Sequence, residues 1–204
     1  MDYNFYYWGP FLMSAKVNKN ICEEMLERGR KTIIKFNKQL AGHIEKENLF
    51  DDNDKDWINN NLKEHFLTYK TAMKEHYGTL SFKENANSTG IKIEHVWINF
   101  MKSGEFNPPH THKYDLSFVL FLQVPSTLKK ERMEFGGSDK GPGCLQFMYG
   151  ENHNSMFVNN HTFFPREGDI FIFPSGLKHF VFPFKSDCER VSVSGNLTFT
   201  YDSI

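Results

Sequence analysis

The feature that most constrains this chain is a change in hydrophobic periodicity near its middle. Before residue 80, apolar residues recur three and four apart, as on helices. From Ile91 onward they fall into short runs separated by Gly, Pro, Asn and Asp. The second pattern is that of successive strands joined by turns. Strands are expected at Ile91–Met101, Tyr114–Val124, Cys144–Tyr149, Met156–Phe163, Asp169–Phe173, His179–Phe184 and Arg190–Thr200. Many of the 21 phenylalanines lie in these runs, which suits a β-rich core.

In the first part, Ile21, Met25, Ile33, Phe36 and Leu40 trace one helical face between Asn18 and Gly42. Trp57, Ile58, Leu62, Phe66, Tyr69 and Met73 trace another, with Asp54 placed to cap its start and His65 and His76 on wet or boundary faces. Two helices followed by seven or eight strands predict an α+β, mainly β, domain: an antiparallel sandwich or barrel with helices packed on one sheet. A length of 204 residues suits a single domain, 1–204, with helical support over about 1–80 and a strand core over about 91–200. The segment Pro125–Gly143, charged and then glycine-rich, reads as a long mobile connection able to cover a site.

Composition narrows the partners. Lys plus Arg number 24 and Asp plus Glu 25, so the overall field gives no reason to expect nucleic acid or an anionic membrane. The opening MDYNFYYWGPFLMSAKV lacks a basic leader followed by an apolar segment, and no apolar run is long enough to span a bilayer, so a cytoplasmic location is expected. Cys22, Cys144 and Cys188 share no metal or redox spacing, which fits free thiols in a reducing compartment.

The chemistry concentrates in two places. In FNPPHTHKYDLSFVLFLQVP, His110 and His112 are one residue apart, so an extended backbone can point both imidazoles at one ion. Alone, that spacing is a weak signal. In GDIFIFPSGLKHFVFPFKSDCERVSVSGNLTF, Lys185-Ser186-Asp187 reads as a hairpin turn between two strands. His179 lies before that turn, and Arg190, Ser192, Ser194 and Asn196 alternate with apolar residues after it. His95, Trp97 and Asn99 share a face of an earlier strand.

His110-x-His112, the distal His179, and Arg190 eleven positions later followed by Ser192 resemble the metal and cosubstrate signature of the Fe(II)/2-oxoglutarate-dependent oxygenases. The similarity is greatest to a prolyl-hydroxylase-like branch common among phage and bacterial proteins, and it covers about Ile91 to Phe199. It implies a double-stranded β-helix, or jelly roll, with Fe(II) held on one face and 2-oxoglutarate and O2 taking the open positions. It further implies that Arg190 and Ser192 bind the far carboxylate of 2-oxoglutarate, with Asn99 a candidate contact to cosubstrate or substrate. The implied reaction is hydroxylation of a peptide, protein or small molecule, a prolyl-type side chain being the nearest family precedent. The family's usual first pair is His-x-Asp, whereas this chain has His112. Either His110, His112 and His179 form a three-histidine face, or Asp115 completes it, or Asp115 orients a ligand from outside. A cupin-like three-histidine metalloenzyme that does not use 2-oxoglutarate and a non-catalytic jelly-roll binding module are the alternatives.

Overall fold

The computed structural model describes residues 1–7, 9–77, 88–137, 141–150 and 160–201. The chain runs β1 (Tyr3–Tyr7), β2 (Phe11–Lys16), α1 (Lys19–Lys31), β3 (Ile34–Lys35), a short 3-10 turn (Asn37–Gln39), β4 (Glu47–Leu49) and α2 (Asp52–Tyr77). It continues through β5 (Gly90–Met101), β6 (Asn107–His110), β7 (Leu116–Gln123), α3 (Ser126–Glu134), β8 (Leu145–Met148), β9 (Asn160–Phe163), β10 (Asp169–Pro174), β11 (Lys178–Val181) and β12 (Arg190–Thr200). The strands form an eight-stranded sheet ordered β1-β2-β10-β7-β12-β5-β4-β3 and a four-stranded sheet ordered β6-β11-β8-β9. All their pairings are antiparallel. The fold is a double-stranded β-helix, mainly β, with helices against the large sheet.

Alternation along the strands explains the layers. On β7, Phe118, Leu120 and Leu122 join a cluster with Met25, Ile58, Leu62 and Phe66 of the helices. Val119 and Phe121 turn the other way and pack with Leu145, Phe147, Phe171 and Phe173 between the sheets. Because both faces of β7 are covered, its sequence LSFVLFLQ is almost continuously apolar. One close approach fixes the outer layer: a Cβ on Gly195 would stand 2.4 Å from Phe118 Cε1 and 3.0 Å from the carbonyl oxygen of His95. Gly195→Ala is therefore expected to cost about 1–3 kcal/mol, the range of overpacked cores, read as a fall of several degrees in Tm.

The first 80 residues hold more strand than the sequence suggested. β1 and β2 form a hairpin, and β2 extends the large sheet by pairing with β10. Helix α1 begins where the Asn18 side chain accepts from the Asn20 amide at 2.9 Å. It stops at Lys31 rather than near Gly42, since the run Thr32-Ile33-Ile34 is β-branched and leads into β3. Asp51, not Asp54, caps α2: its Oδ1 accepts from the Asp54 amide at 2.8 Å, while Asp54 pairs with Arg28 at 2.9 Å. The expected stripe of α2 is buried apart from half-buried Trp57, but His65 is buried too, with Nε2 3.3 Å from the Lys16 carbonyl oxygen. That burial, which lowers its pKa, corrects the expected wet or boundary face. His76 is exposed and stacks on Phe11.

The Pro125–Gly143 connection is partly built. Its first half is α3, held by buried Leu128 and by Glu131, whose carboxylate accepts from the amides of Lys185 and Ser186 at 2.9 and 2.7 Å. The Lys185-Ser186-Asp187 turn is not a hairpin. β11 pairs with β6 and β8 of the small sheet, whereas β12 pairs with β5 and β7 of the large one, so the chain crosses between sheets there. The expected strand Met156–Phe163 is seen as Asn160–Phe163, its first residues lying outside those described. Cys22, Cys144 and Cys188 are free thiols, the first two buried. No described helix is long and apolar enough to cross a membrane.

Candidate active site

The crossing between sheets makes the site. With β11 in one sheet and β12 in the other, their polar residues face each other across the sandwich, and His110, His112, His179, Asn99, Arg190 and Ser192 all line one pocket. His110 ends the edge strand β6, where Pro108 and Pro109 cost no inner-sheet hydrogen bonds. His179 is its direct register partner on β11. His112 lies just beyond β6, held by its amide donating to the Ser175 carbonyl at 2.9 Å.

The three rings converge. Centroids are 4.3 Å apart for His110 and His179, 4.9 Å for His110 and His112, and 5.3 Å for His112 and His179. One ring nitrogen from each lies within 4.8 Å of the others. Nδ1 of His110 is 2.7 Å from the Pro108 carbonyl oxygen, and Nδ1 of His179 is 2.9 Å from that of Leu177. Carbonyls only accept, so these contacts place the proton on Nδ1 and leave each Nε2 lone pair free. Burial pushes the His112 pKa down to about 4, helped by His110, and holds those of His110 and His179 below the ordinary value. All three are neutral donors at neutral pH, the state a cation requires.

Asp115 does not join them. Its Oδ2 accepts from the Phe199 amide at 2.7 Å, its backbone amide donates to Leu197, and its carbonyl accepts from Ser175. The carboxylate thus ties the end of β12, and the Nδ1 partners of His110 and His179 are carbonyls rather than Asp115. Between His112 and Asp115 the backbone bends rather than continuing as a strand, and Asp115 is turned onto the Phe199 amide.

At the other end of the pocket lies Arg190, 2% exposed. Its guanidinium donates to the Gly143 carbonyl at 3.0 Å and to the Met101 sulfur at 3.0 Å, and stands 5.2 Å from the Phe121 ring centroid. Its Nε has no partner, and among the described residues no carboxylate pairs with it. Burial lowers its pKa to about 10, which still leaves it charged at neutral pH. A buried cation without a counter-ion is costly to hold, and it marks where an anion fits. Next to it, Asn99 Nδ2 donates to the Ser194 hydroxyl at 3.2 Å and reaches the Ser192 hydroxyl at 3.4 Å. The residues fit a metal ion and a dicarboxylate: three neutral nitrogens at one end, an unpaired guanidinium with hydroxyls at the other.

The profile of the 2OG-Fe(II) oxygenase family matches residues 95–196, half of the chain. This protein belongs to the 2OG-Fe(II) oxygenase family. No curated protein matches it by sequence. Among solved structures it resembles a prolyl-4-hydroxylase of Pseudomonas putida, 13% identical with a TM-score of 0.54 over 98% of this chain and 93% of the other. It also resembles the viral collagen prolyl hydroxylase of Paramecium Bursaria Chlorella virus-1, in its 2-oxoglutarate complex, 11% identical with a TM-score of 0.58 over 93% and 96%. HygX of Streptomyces hygroscopicus, solved with nickel, 2-oxoglutarate and hygromycin B, is 8% identical with a TM-score of 0.57 over 92% and 82%. At such identities the likeness is one of fold. The pocket residues Asn99, His110, His112, His179, Arg190 and Ser192 all lie within the family match.

One residue escaped the sequence reading. Glu47 on β4 is fully buried, and neither carboxylate oxygen has a hydrogen-bond partner. Burial, then the charge of Glu105, raises its pKa to about 7.

Proposed function

We propose that this 2OG-Fe(II) oxygenase is a hydroxylase whose iron is held by His110, His112 and His179 and whose 2-oxoglutarate is anchored by Arg190 and Ser192. The observation that carries this reading is the unpaired, buried Arg190 sharing a pocket with three convergent neutral imidazoles. A guanidinium grips a carboxylate bidentately, and Ser192 adds a hydroxyl donor. Asn99 contributes the wall between them. When bound, iron with 2-oxoglutarate and O2 supplies an oxidation in which R–H becomes R–OH while the 2-oxo acid becomes succinate and CO2. The chain's own residues fix both reactants and exclude water: Phe121, Phe173 and Val119 close the pocket around the polar groups. Asp115 serves as a strand tie in this reading.

A peptidyl side chain of prolyl type is the first substrate to try, supported by two prolyl hydroxylases among the similar folds. HygX, solved with hygromycin B bound, keeps small molecules in the trial set. The cupin-like reading leaves Arg190 without an anion, and a silent binding module gives the three imidazoles no task. The test is to load the anaerobically purified protein with Fe(II), admit O2 with 2-oxoglutarate, and measure succinate. The expected result is succinate formation dependent on both Fe(II) and O2, even without substrate. No succinate from the metal-loaded protein, with or without proline-containing peptides, would overturn the proposal.

A further inference from the structure

Glu47 lies opposite Asn99 in the β4–β5 register, and Asn99 lies opposite Ser192 in the β5–β12 register. Residues in direct register share a face, so the three form a row that runs from beneath the segment Gly42–Ile44 to the pocket wall. The ladder bonds of β4 and β5 join Phe100 to Lys46 and Phe50 to Val96. Glu47 and Asn99 therefore occupy a non-hydrogen-bonded pair, the kind whose side chains lie closest, with Cα atoms about 4.5 Å apart. Asn99 turns its Nδ2 toward β12, onto the hydroxyls of Ser192 and Ser194. Its Oδ1 is then on the side away from β12, toward β4, and it too is buried without a partner.

Two neighbouring groups of unpartnered acceptor oxygens are incompatible unless a proton lies between them. We infer that Glu47 is a positioning residue: as a neutral carboxylic acid it donates to Asn99 Oδ1 and so sets the direction of every hydrogen bond from β4 to the pocket. The consequences run outward. With Oδ1 occupied, Asn99 presents Nδ2 to the serines. Ser192 and Ser194 accept from it, so their own protons are free to point into the pocket. An anion at Arg190 then meets the Ser192 hydroxyl as a donor, Ser194 lying two residues further along β12. When Glu47 ionises, its carboxylate attracts the Asn99 amide N–H groups instead, the amide turns over, and the serine protons swing back to satisfy Oδ1. The pocket loses both donors.

The surroundings hold Glu47 to this role. Gly42 roofs it, a Cβ there coming within 2.9 Å of Oε1. Glu105 is the charged group acting on it, and the Glu105 oxygens are committed to the amides of Glu45 and Lys102. Lys46 points to the opposite face, over the Phe100 ring at 4.1 Å, and Lys102 pairs with Glu45 at the surface. Among the described residues no cation neutralises an ionised Glu47, whose raised pKa of about 7 has burial as its main cause. For an acid so shifted, the neutral form holds below about pH 7 and is lost above it.

This inference rests on the reading that 2-oxoglutarate binds at Arg190. The test is 2-oxoglutarate binding by calorimetry to the full chain at saturating Fe(II), under anaerobic conditions, between pH 6 and 8.5, for wild type and Glu47→Gln. The wild-type affinity is expected to fall roughly tenfold across this range, the loss of about one hydrogen bond to an anion. Glu47→Gln, whose amide N–H donates at every pH, should bind at the wild-type low-pH affinity throughout. In parallel, the metal-free Glu47→Gln protein should melt several degrees above wild type at pH 8.5, the gap narrowing as pH falls and closing only toward the ordinary carboxyl value of 4.5. A wild-type affinity flat with pH, or a Glu47→Gln profile superimposed on a falling one, would overturn the inference. If wild type binds no 2-oxoglutarate at any pH, the cosubstrate assignment itself fails and takes this inference with it, whatever the melting temperatures.

Discussion

His179→Ala is expected to abolish Fe(II) binding while leaving the fold intact. Of the three imidazoles it is the most buried and the most tightly fixed, paired in register with His110 and turned by the Leu177 carbonyl. Removing it leaves two nitrogens to hold the ion. Outer partners of metal ligands are worth about 10–100-fold in affinity, so loss of a ligand should exceed that range. His110→Ala and His112→Ala are expected to behave alike, with His112→Ala the informative one, since the family usually carries an acid at that position. Asp115→Ala should do the reverse: it leaves the Phe199 amide without its acceptor, which costs about 1.5–3 kcal/mol of stability, yet metal affinity stays near wild type. Metal titration and melting curves on the four variants decide the matter. Metal loss in Asp115→Ala with retention in His112→Ala would return the carboxylate to the metal face.

If His112 is a ligand, the site carries no negative charge of its own. Three neutral imidazoles and a buried guanidinium favour dianionic 2-oxoglutarate strongly, because the ligand supplies the compensation that an aspartate on the metal usually shares. Glu47, one strand beyond Asn99, is a carboxyl group kept out of this balance by being neutral.

The strands that carry the pocket were legible because they alternate under cover on both faces. β5, β7, β10 and β12 appear in the structure within two residues of where turn signals bracket them in the sequence. The hairpin at Lys185–Asp187 was misread for a physical reason: turn chemistry reports that a chain reverses, not which sheet receives it. Its real topology is what sets His179 opposite Arg190. β1 and β2 were hidden because only Gly9-Pro10 separates the aromatic run Tyr3–Trp8 from the apolar run Phe11–Met13, and pairing with β10 is a tertiary event. α3 has one buried apolar residue, Leu128, so it offers no stripe to read. Glu47 gave no signal at all, since a glutamate among charged neighbours in HIEKENLF looks solvated until Gly42 and β5 cover it.

Arg190→Ala is expected to raise the apparent 2-oxoglutarate dissociation constant by tens-fold or more while leaving metal affinity nearly unchanged. Charge-assisted hydrogen bonds are worth about 1.5–3 kcal/mol each, and the guanidinium can offer two to one carboxylate. The cation is already desolvated, its Nε already unpartnered, and Phe121 and the Gly143 carbonyl already fix its plane. Little reorganisation therefore offsets the gain when an anion arrives. Arg190→Lys should recover only part of the affinity, because an ammonium lacks the planar fork and cannot keep both the Gly143 contact and a bidentate grip. Arg190→Ala should also melt no lower than a cavity of its size dictates, since the uncompensated buried charge is removed with the side chain. The measurement is an anaerobic 2-oxoglutarate titration of wild type and both variants at saturating Fe(II), with metal affinity determined separately. Equal 2-oxoglutarate affinity in wild type and Arg190→Ala would move the carboxylate anchor elsewhere, and parallel loss of metal and 2-oxoglutarate would mean that Arg190 supports the pocket rather than the anion.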